Sequence, residues 1–170
     1  MATEKEQHDH PIWHILYAVF GVALTGQLVL LFLRPPGTAL WLVLVGWALF
    51  FLSGLFGWTP MIAFRLRGRV PKGKSYIHTT RLVTSGLYSI VRHPQFVAGD
   101  LLAAAVICIT QHWSVIVVGG IGILANHLTM IKADRDLVGK FGEPYRAYMA
   151  RVPRSNLMVG LWRRIHRIRM

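Results

Sequence analysis

Ile12 to Leu33 is a run of 22 residues without one charged side chain, interrupted only by the polar His14, Thr25 and Gln27. At 1.5 Å per residue such a helix is about 33 Å long, enough to cross a hydrocarbon core of ~30 Å. Within a bilayer every backbone polar group must be satisfied internally, so a chain with several such runs becomes a helical bundle. Arg34-Pro35-Pro36-Gly37 then breaks the helix, because proline removes a donor and glycine relaxes the backbone. A second span is expected from Ala39 to about Phe64, with Pro60 near its exit. Ser53 and Gly57, four residues apart, would allow close helix contact.

The apolar stretch Phe96 to Thr110 is short, and Asp100 lies near its start. Beginning that helix at Pro94 lengthens it, since proline suits the first helical position. Gln111-His112 makes a tight tip, and Trp113 to Ile131 forms a fourth span, so 96–131 is expected to be a helical hairpin. Beyond Lys132 the chain turns polar and amphipathic. Gly142-Glu143-Pro144 marks a helix stop and a new start, and Leu157, Leu161, Ile165 and Ile168 form a stripe beside Arg163, Arg164 and Arg167. That last piece is expected to be an interfacial helix on an anionic leaflet. The expected fold is therefore all-α: one polytopic membrane domain with two spans (1–64), a polar loop (65–95), the hairpin, and C-terminal amphipathic helices (132–170).

Charge supports this arrangement. The chain has 19 Lys and Arg against 7 Asp and Glu, a formal net charge of +12. With four crossings, 18 of the 19 cations fall on the side of both termini and only Arg34 on the other. The positive-inside rule then predicts cytoplasmic termini. No stacking or groove-reading motif accompanies the charge, so nucleic acid is not an expected partner. The single cysteine, Cys108, rules out an internal disulfide. His8, His10 and His14 are expected to belong to a mobile terminus and not to a metal site, and Gly120-x-Gly122-x-x-Ala125 is expected to serve helix packing. No metal site is expected.

Two polar stretches abut the hairpin. In the first, Arg92 and His93 directly precede Pro94, so their donors would converge at a helix N-terminus, where anions are favoured. They form either a pocket for a carboxylate or phosphate, or interface anchors. In the second, Asp134 follows the fourth span, and Asn126, Met130 and Asp134 share one helix face. This is either part of a site or a solvated helix with ion pairs. Asp100 within a span costs about 2.5–3.5 kcal/mol on insertion scales, which makes it a functional candidate by default. Counted from the tip it lies level with Asn126 and His127, and a pairing there would offset that cost. His127 is expected to be a hydrogen-bonded packing residue.

These stretches carry a resemblance. Leu82-Val83-Thr84-Ser85-Gly86-Leu87-Tyr88-Ser89-Ile90-Val91-Arg92-His93-Pro94-Gln95-Phe96, a hairpin, then Phe141-Gly142-Glu143-Pro144-Tyr145-Arg146-Ala147-Tyr148 and Val152-Pro153-Arg154 follow one another. Over Leu82 to Arg154 the chain resembles the superfamily of isoprenylcysteine carboxyl methyltransferases and phospholipid N-methyltransferases, integral membrane enzymes. The resemblance implies S-adenosylmethionine as methyl donor, bound at the cytoplasmic end of the bundle, and a small or lipid-like acceptor: an isoprenylcysteine carboxylate, a phospholipid amine or a thiol. It implies that Gly86, Tyr88, Arg92, His93, Pro94 and position Phe96 line the donor site, with Asp134 on a family acidic position, Tyr145 and Tyr148 on the two family tyrosines and Arg154 on the closing arginine. Arg92 would meet the donor carboxylate, Asp134 or Asn126 its ammonium or ribose hydroxyls, and Tyr88 or Trp113 its sulfonium. His93 or Asp100 would take a proton from an amine acceptor. The expected catalytic residues are thus Arg92, His93 and Asp100. Three positions depart from the family pattern: Phe96 stands for Tyr, Ala98 for Gly and Ala133 for Glu. A non-catalytic membrane module that keeps the fold, and a membrane reductase with a nicotinamide cofactor, are the alternative readings.

Overall fold

The structure is a computed structural model that describes residues 12–69 and 79–168. His8 and His10, and four of the cations counted for the topology, Lys5, Lys72, Lys74 and Arg169, lie outside the described residues. The described chain is all-helical: α1 (Ile12–Leu33), α2 (Leu40–Arg67), a single 3-10 turn (Gly86–Ser89), α3 (Pro94–Thr110), α4 (Trp113–Phe141), α5 (Glu143–Arg151) and α6 (Leu157–Ile168). Helices α1, α2 and α4 are long and apolar enough to cross a membrane, and α3, with 17 residues, is shorter. Large apolar side chains such as Val22, Phe32, Trp41, Phe51 and Leu124 are exposed along the spanning helices. That is the surface a bilayer requires and water would not tolerate. The chain is an integral membrane protein.

The helix ends follow their sequence signals. Pro94 is in the first turn of α3, and Gln111 closes it in the left-handed region at φ 50°. The Gln111 side chain also bridges the far-side loops: its Nε2 donates to the Ala39 carbonyl at 3.0 Å and its Oε1 accepts from the Ala39 N–H at 3.1 Å. Helix α4 runs ten residues past the expected end at Ile131. Nothing in Lys132–Phe141 breaks a helix, and Lys132 pairs with Asp136 at i, i+4, 2.6 Å apart. Gly142, at φ 62°, stops it, a backbone conformation that glycine adopts without a Cβ clash.

Helix α2 packs along α3 and α1 along α4, both antiparallel, with α3 and α4 joined as the hairpin. Close approach is built from small residues. A Cβ on Gly46 would lie 2.6 Å from Ile109 Cγ1 and 2.9 Å from the Ala105 carbonyl oxygen. Ser53 donates from Oγ to the Ala98 carbonyl at 2.8 Å, and Gly57 sits over the Ala98 methyl, as their four-residue spacing suggested. Gln27, 1% exposed, donates from Nε2 to the carbonyls of Ala103 at 3.3 Å and Val115 at 3.2 Å, tying α1 to both arms of the hairpin. Its amide lies against Gly119, where a Cβ would come within 2.3 Å of Nε2. Gly120 and Gly122 lie mid-helix in α4, and Gly122 packs on Ala23 of α1.

Candidate functional site

The site lies where the start of α3, the end of α4 and the turn after α5 meet. Two backbone bonds set this junction: the Arg92 N–H donates to the Pro153 carbonyl at 3.0 Å and the His93 N–H to the Arg154 carbonyl at 3.2 Å. The Arg-His-Pro and Val-Pro-Arg segments, 60 residues apart, therefore run side by side.

Asp134 is the hub, 3% exposed. Its Oδ2 accepts from Arg92 Nη2 at 2.8 Å and Arg154 Nε at 2.7 Å. Its Oδ1 accepts from the Tyr145 hydroxyl at 2.7 Å, lies 2.8 Å from His93 Nε2 and accepts from Arg92 Nε at 3.3 Å. Arg92 Nη1 donates to the Met149 carbonyl at 3.0 Å and the Val152 carbonyl at 2.8 Å. All three guanidinium nitrogens are thus engaged, two on the carboxylate and one on the last turn of α5. One buried carboxylate faces two guanidinium groups, so the cluster keeps a net positive charge. Arg154 is the outward member: its side chain is 30% exposed, and its terminal amino groups have no partner among the described residues.

Tyr145 and Tyr148 wall the hub from α5, their rings edge to face at 5.7 Å. Burial raises the Tyr145 hydroxyl above the ordinary tyrosine range, and its bond to the Asp134 carboxylate adds to the shift. Burial raises Tyr148 likewise, and the Asp134 charge adds to it while Arg92 opposes it. Both stay protonated donors at neutral pH. The Tyr148 hydroxyl donates to the Tyr88 carbonyl, which carries the hub's order into the 3-10 turn.

A second polar group lies deeper, on the Asn126 face of α4, two turns or about 12 Å along the helix from Asp134. Asn126, fully buried, donates from Nδ2 to Asp100 Oδ1 at 2.7 Å and to the Phe96 carbonyl at 2.9 Å. The pairing expected from their common depth is present. Asn126 Oδ1 is buried without a hydrogen-bond partner among the described residues. The Phe96 ring stands edge-on to His93 at 5.5 Å and links the two groups. His127 is exposed and makes no hydrogen bond among the described residues, contrary to the packing role expected of it. It follows Asn126 by one residue, and 100° of helix rotation turns it outward.

Gly86 and Tyr88 lie apart from the hub. They line a cleft of about 190 Å³ between the exit of α2 and the 3-10 turn, with Thr59, Ile62, Leu66 and Arg67. Gly86 is at φ 69°, and the Tyr88 ring stacks on Phe64 at 5.1 Å. Pro94 is buried at the start of α3. Trp113 begins α4 at the opposite end of the bundle from Asp134, some 21 residues away, and has no part in this group.

The structure therefore brings Arg92, His93 and Asp134 together, joins Asp100 to Asn126, and sets Gly86 and Tyr88 in a neighbouring cleft. Tyr145, Tyr148 and Arg154, marked in the sequence only by their family positions, complete the hub. The carbonyls of Met149 and Val152 went unforeseen. A backbone acceptor leaves no side-chain signal.

A sequence profile of the phospholipid methyltransferase family matches residues 41–140. The chain belongs to that family. The matched region takes in α2, the Arg-His-Pro segment, α3 and α4 as far as Lys140, so it includes Arg92, His93, Asp100, Asn126 and Asp134. It reaches further toward the N-terminus than the resemblance read from Leu82 onward, and it stops before Tyr145, Tyr148 and Arg154. Comparison with curated proteins and with solved structures finds no match. The family is one of methyltransferases, which supports methyl transfer and lends nothing to the reductase reading.

Proposed function

We propose that the chain transfers a methyl group from S-adenosylmethionine to a small or lipid-like acceptor at the cytoplasmic membrane face. The observation that carries this reading is the Asp134 hub, a buried carboxylate that fixes two arginines and a histidine at the mouth of the hairpin. Two features fit the donor. The open amino groups of Arg154, in a cluster of net positive charge, suit a carboxylate. The unpartnered Asn126 Oδ1, farther along α4, suits a ribose hydroxyl, since a buried acceptor without a partner costs about 1–3 kcal/mol.

When bound, the donor supplies an electrophilic sulfonium methyl: the S–CH3 bond breaks as the bond to the acceptor forms, leaving a thioether. The chain's own work is positioning. Asp134 orients Arg92, His93 and Arg154, and Arg92 clamps the end of α5 so that Tyr145 and Tyr148 close the hub against water. Gly86 and Tyr88 shape the adjoining cleft, whose Ile62 and Leu66 side faces lipid. In this reading Asp100, held by Asn126, takes a proton from an amine acceptor, and His93 holds one beside the hub. Holding donor and acceptor in near-attack geometry supplies about 7–11 kcal/mol of rate enhancement in favourable cases. The concentration of Lys and Arg at this end of the bundle supports a cytoplasmic placement by the positive-inside rule.

Calorimetry with S-adenosylmethionine and S-adenosylhomocysteine on the detergent-purified protein tests the reading. Micromolar binding that is lost in Asp134→Asn is the expected result. Absence of binding by a folded protein would overturn it in favour of a non-catalytic module that kept the fold.

A further inference from the structure

Helix α6 is docked on the rest of the chain by the wrong face for a helix in water. A Cβ on Gly160 would fall 2.0 Å from the Ile90 carbonyl oxygen, so the α6 backbone lies directly on that peptide. One turn on, Arg164 Nη1 donates to Ser89 Oγ at 2.6 Å and to the Gly86 carbonyl at 3.3 Å. Gly160 and Arg164, at i, i+4, form the docked face. Met158, Leu161, Trp162 and Ile165 recur at i, i+3, i+4, i+7 on another face, and they are 84%, 51%, 60% and 43% exposed. A surface helix of a water-soluble domain shows the reverse, apolar side in and charged side out.

What covers that face follows from where α6 starts. Leu157 packs on the cluster of Phe56, Val91, Val97 and Ala98, between the exit of α2 and the entry of α3. Trp58, Ile62 and Leu66 of α2, 73%, 53% and 76% exposed, belong to the lipid-facing surface at this same level. The spanning helices put the bilayer boundary there, so the exposed face of α6 continues a surface already committed to lipid. Arg163 is exposed on α6, and ten of the protein's 19 Lys and Arg follow Ile131 in the sequence. That charge matches anionic headgroups.

We propose that α6 is an interfacial anchor. Its Met158, Leu161, Trp162 and Ile165 face lies in an anionic leaflet, and its Gly160 and Arg164 face holds the Gly86–Ser89 turn, one wall of the cleft. Leaflet binding thereby sets the order of that wall. The link from the turn to donor affinity rests on the proposed function. The anchoring does not.

The test uses the full chain with Cys108→Ala and Met158→Cys, labelled at the new thiol with an environment-sensitive fluorophore. It is reconstituted singly into phosphatidylcholine nanodiscs with and without phosphatidylglycerol. A blue-shifted label, quenched by lipid-borne nitroxide, deeper in the anionic discs and lost in Leu161→Asp, is expected. So is a several-fold weaker affinity for S-adenosylhomocysteine in Leu161→Asp, with faster amide exchange at 86–90. A label that stays in water in both disc types overturns the anchor, as does one buried only when two copies share a disc. Equal burial in both disc types overturns the preference for anionic lipid. A buried label without any donor binding by the parent protein leaves the anchor standing and removes the functional reading instead.

Discussion

Arg92 and Asp134, 42 residues apart, meet with Nη2 2.8 Å from Oδ2 and Nε 3.3 Å from Oδ1, both side chains less than a tenth exposed. A buried two-pronged pair of this kind is costly to form and costlier to break. Removing one partner leaves an uncompensated charge, at a cost of about 3–5 kcal/mol. Asp134→Ala should therefore lower the melting temperature strongly and abolish methyl transfer. Arg92→Lys keeps the charge but not the fork, and it loses the bonds to Met149 and Val152. It should remain folded with reduced stability and little activity. Thermal melts in detergent beside a methyl-transfer assay check both, and wild-type behaviour of Arg92→Lys would show that the fork is dispensable.

Arg154 should separate binding from folding. Its side chain is nearly a third exposed, so its pair with Asp134 contributes only about 0–1 kcal/mol after solvent screening. Arg154→Ala is expected to melt close to the parent yet bind S-adenosylhomocysteine roughly tenfold more weakly, a loss of about 1.4 kcal/mol. Calorimetry decides, and unchanged affinity would remove Arg154 from the donor site.

The Asp100–Asn126 pair makes a non-additive prediction. Asn126→Leu strands the buried side of the Asp100 carboxylate, so it should destabilise by about 1–3 kcal/mol. Replacing both residues with leucine removes donor and acceptor together and should recover much of that loss. Methyl transfer should not recover, because the proposed proton acceptor is gone. A doubly substituted protein with normal turnover would reduce the pair to packing.

Alkaline pH should loosen the hub. The folded state raises the Tyr145 and Tyr148 pKa values, whereas the unfolded chain ionises these groups near pH 10. Their contribution is whole below that value and is lost progressively as pH rises above it, because only the unfolded state then sheds protons. Melts between pH 8 and 11 should show a falling limb that is shallower in Tyr145→Phe. An identical slope in the variant would assign the limb to other groups.

Helix contact at Gly46 should be intolerant of size. A Cβ there meets both the Ile109 side chain and the Ala105 carbonyl, and backbone cannot give way as a side chain can. Gly46→Val should destabilise by about 1–3 kcal/mol, whereas Gly54→Ala, which meets nothing within 4 Å, should be near neutral. Equal melting of the two variants would mean that α2 and α3 adjust freely.

Much of this protein is written locally in its chain. The charge-free run Ile12–Leu33, the break at Pro35-Pro36-Gly37, Pro94 at a helix start and Gly142 at a helix stop each act within a few residues, so the helices and the bundle were legible in advance. The overrun of α4 to Phe141 was not, because polarity signals the edge of a bilayer and not the end of a helix. Sequence named Arg92, His93 and Asp134 but left open whether they met, since spacing of some 40 residues carries no distance. Only the fold settled that, by laying Pro153 and Arg154 against Arg92 and His93 and drawing five bonds onto one carboxylate. The same holds for α6, whose amphipathic pattern was plain while the choice of docked face depended on Gly160 meeting the Ile90 carbonyl. Local backbone preference and hydrophobic period are properties of neighbours in sequence. Which buried charge is paired, and which apolar face is left for lipid, are properties of neighbours in space.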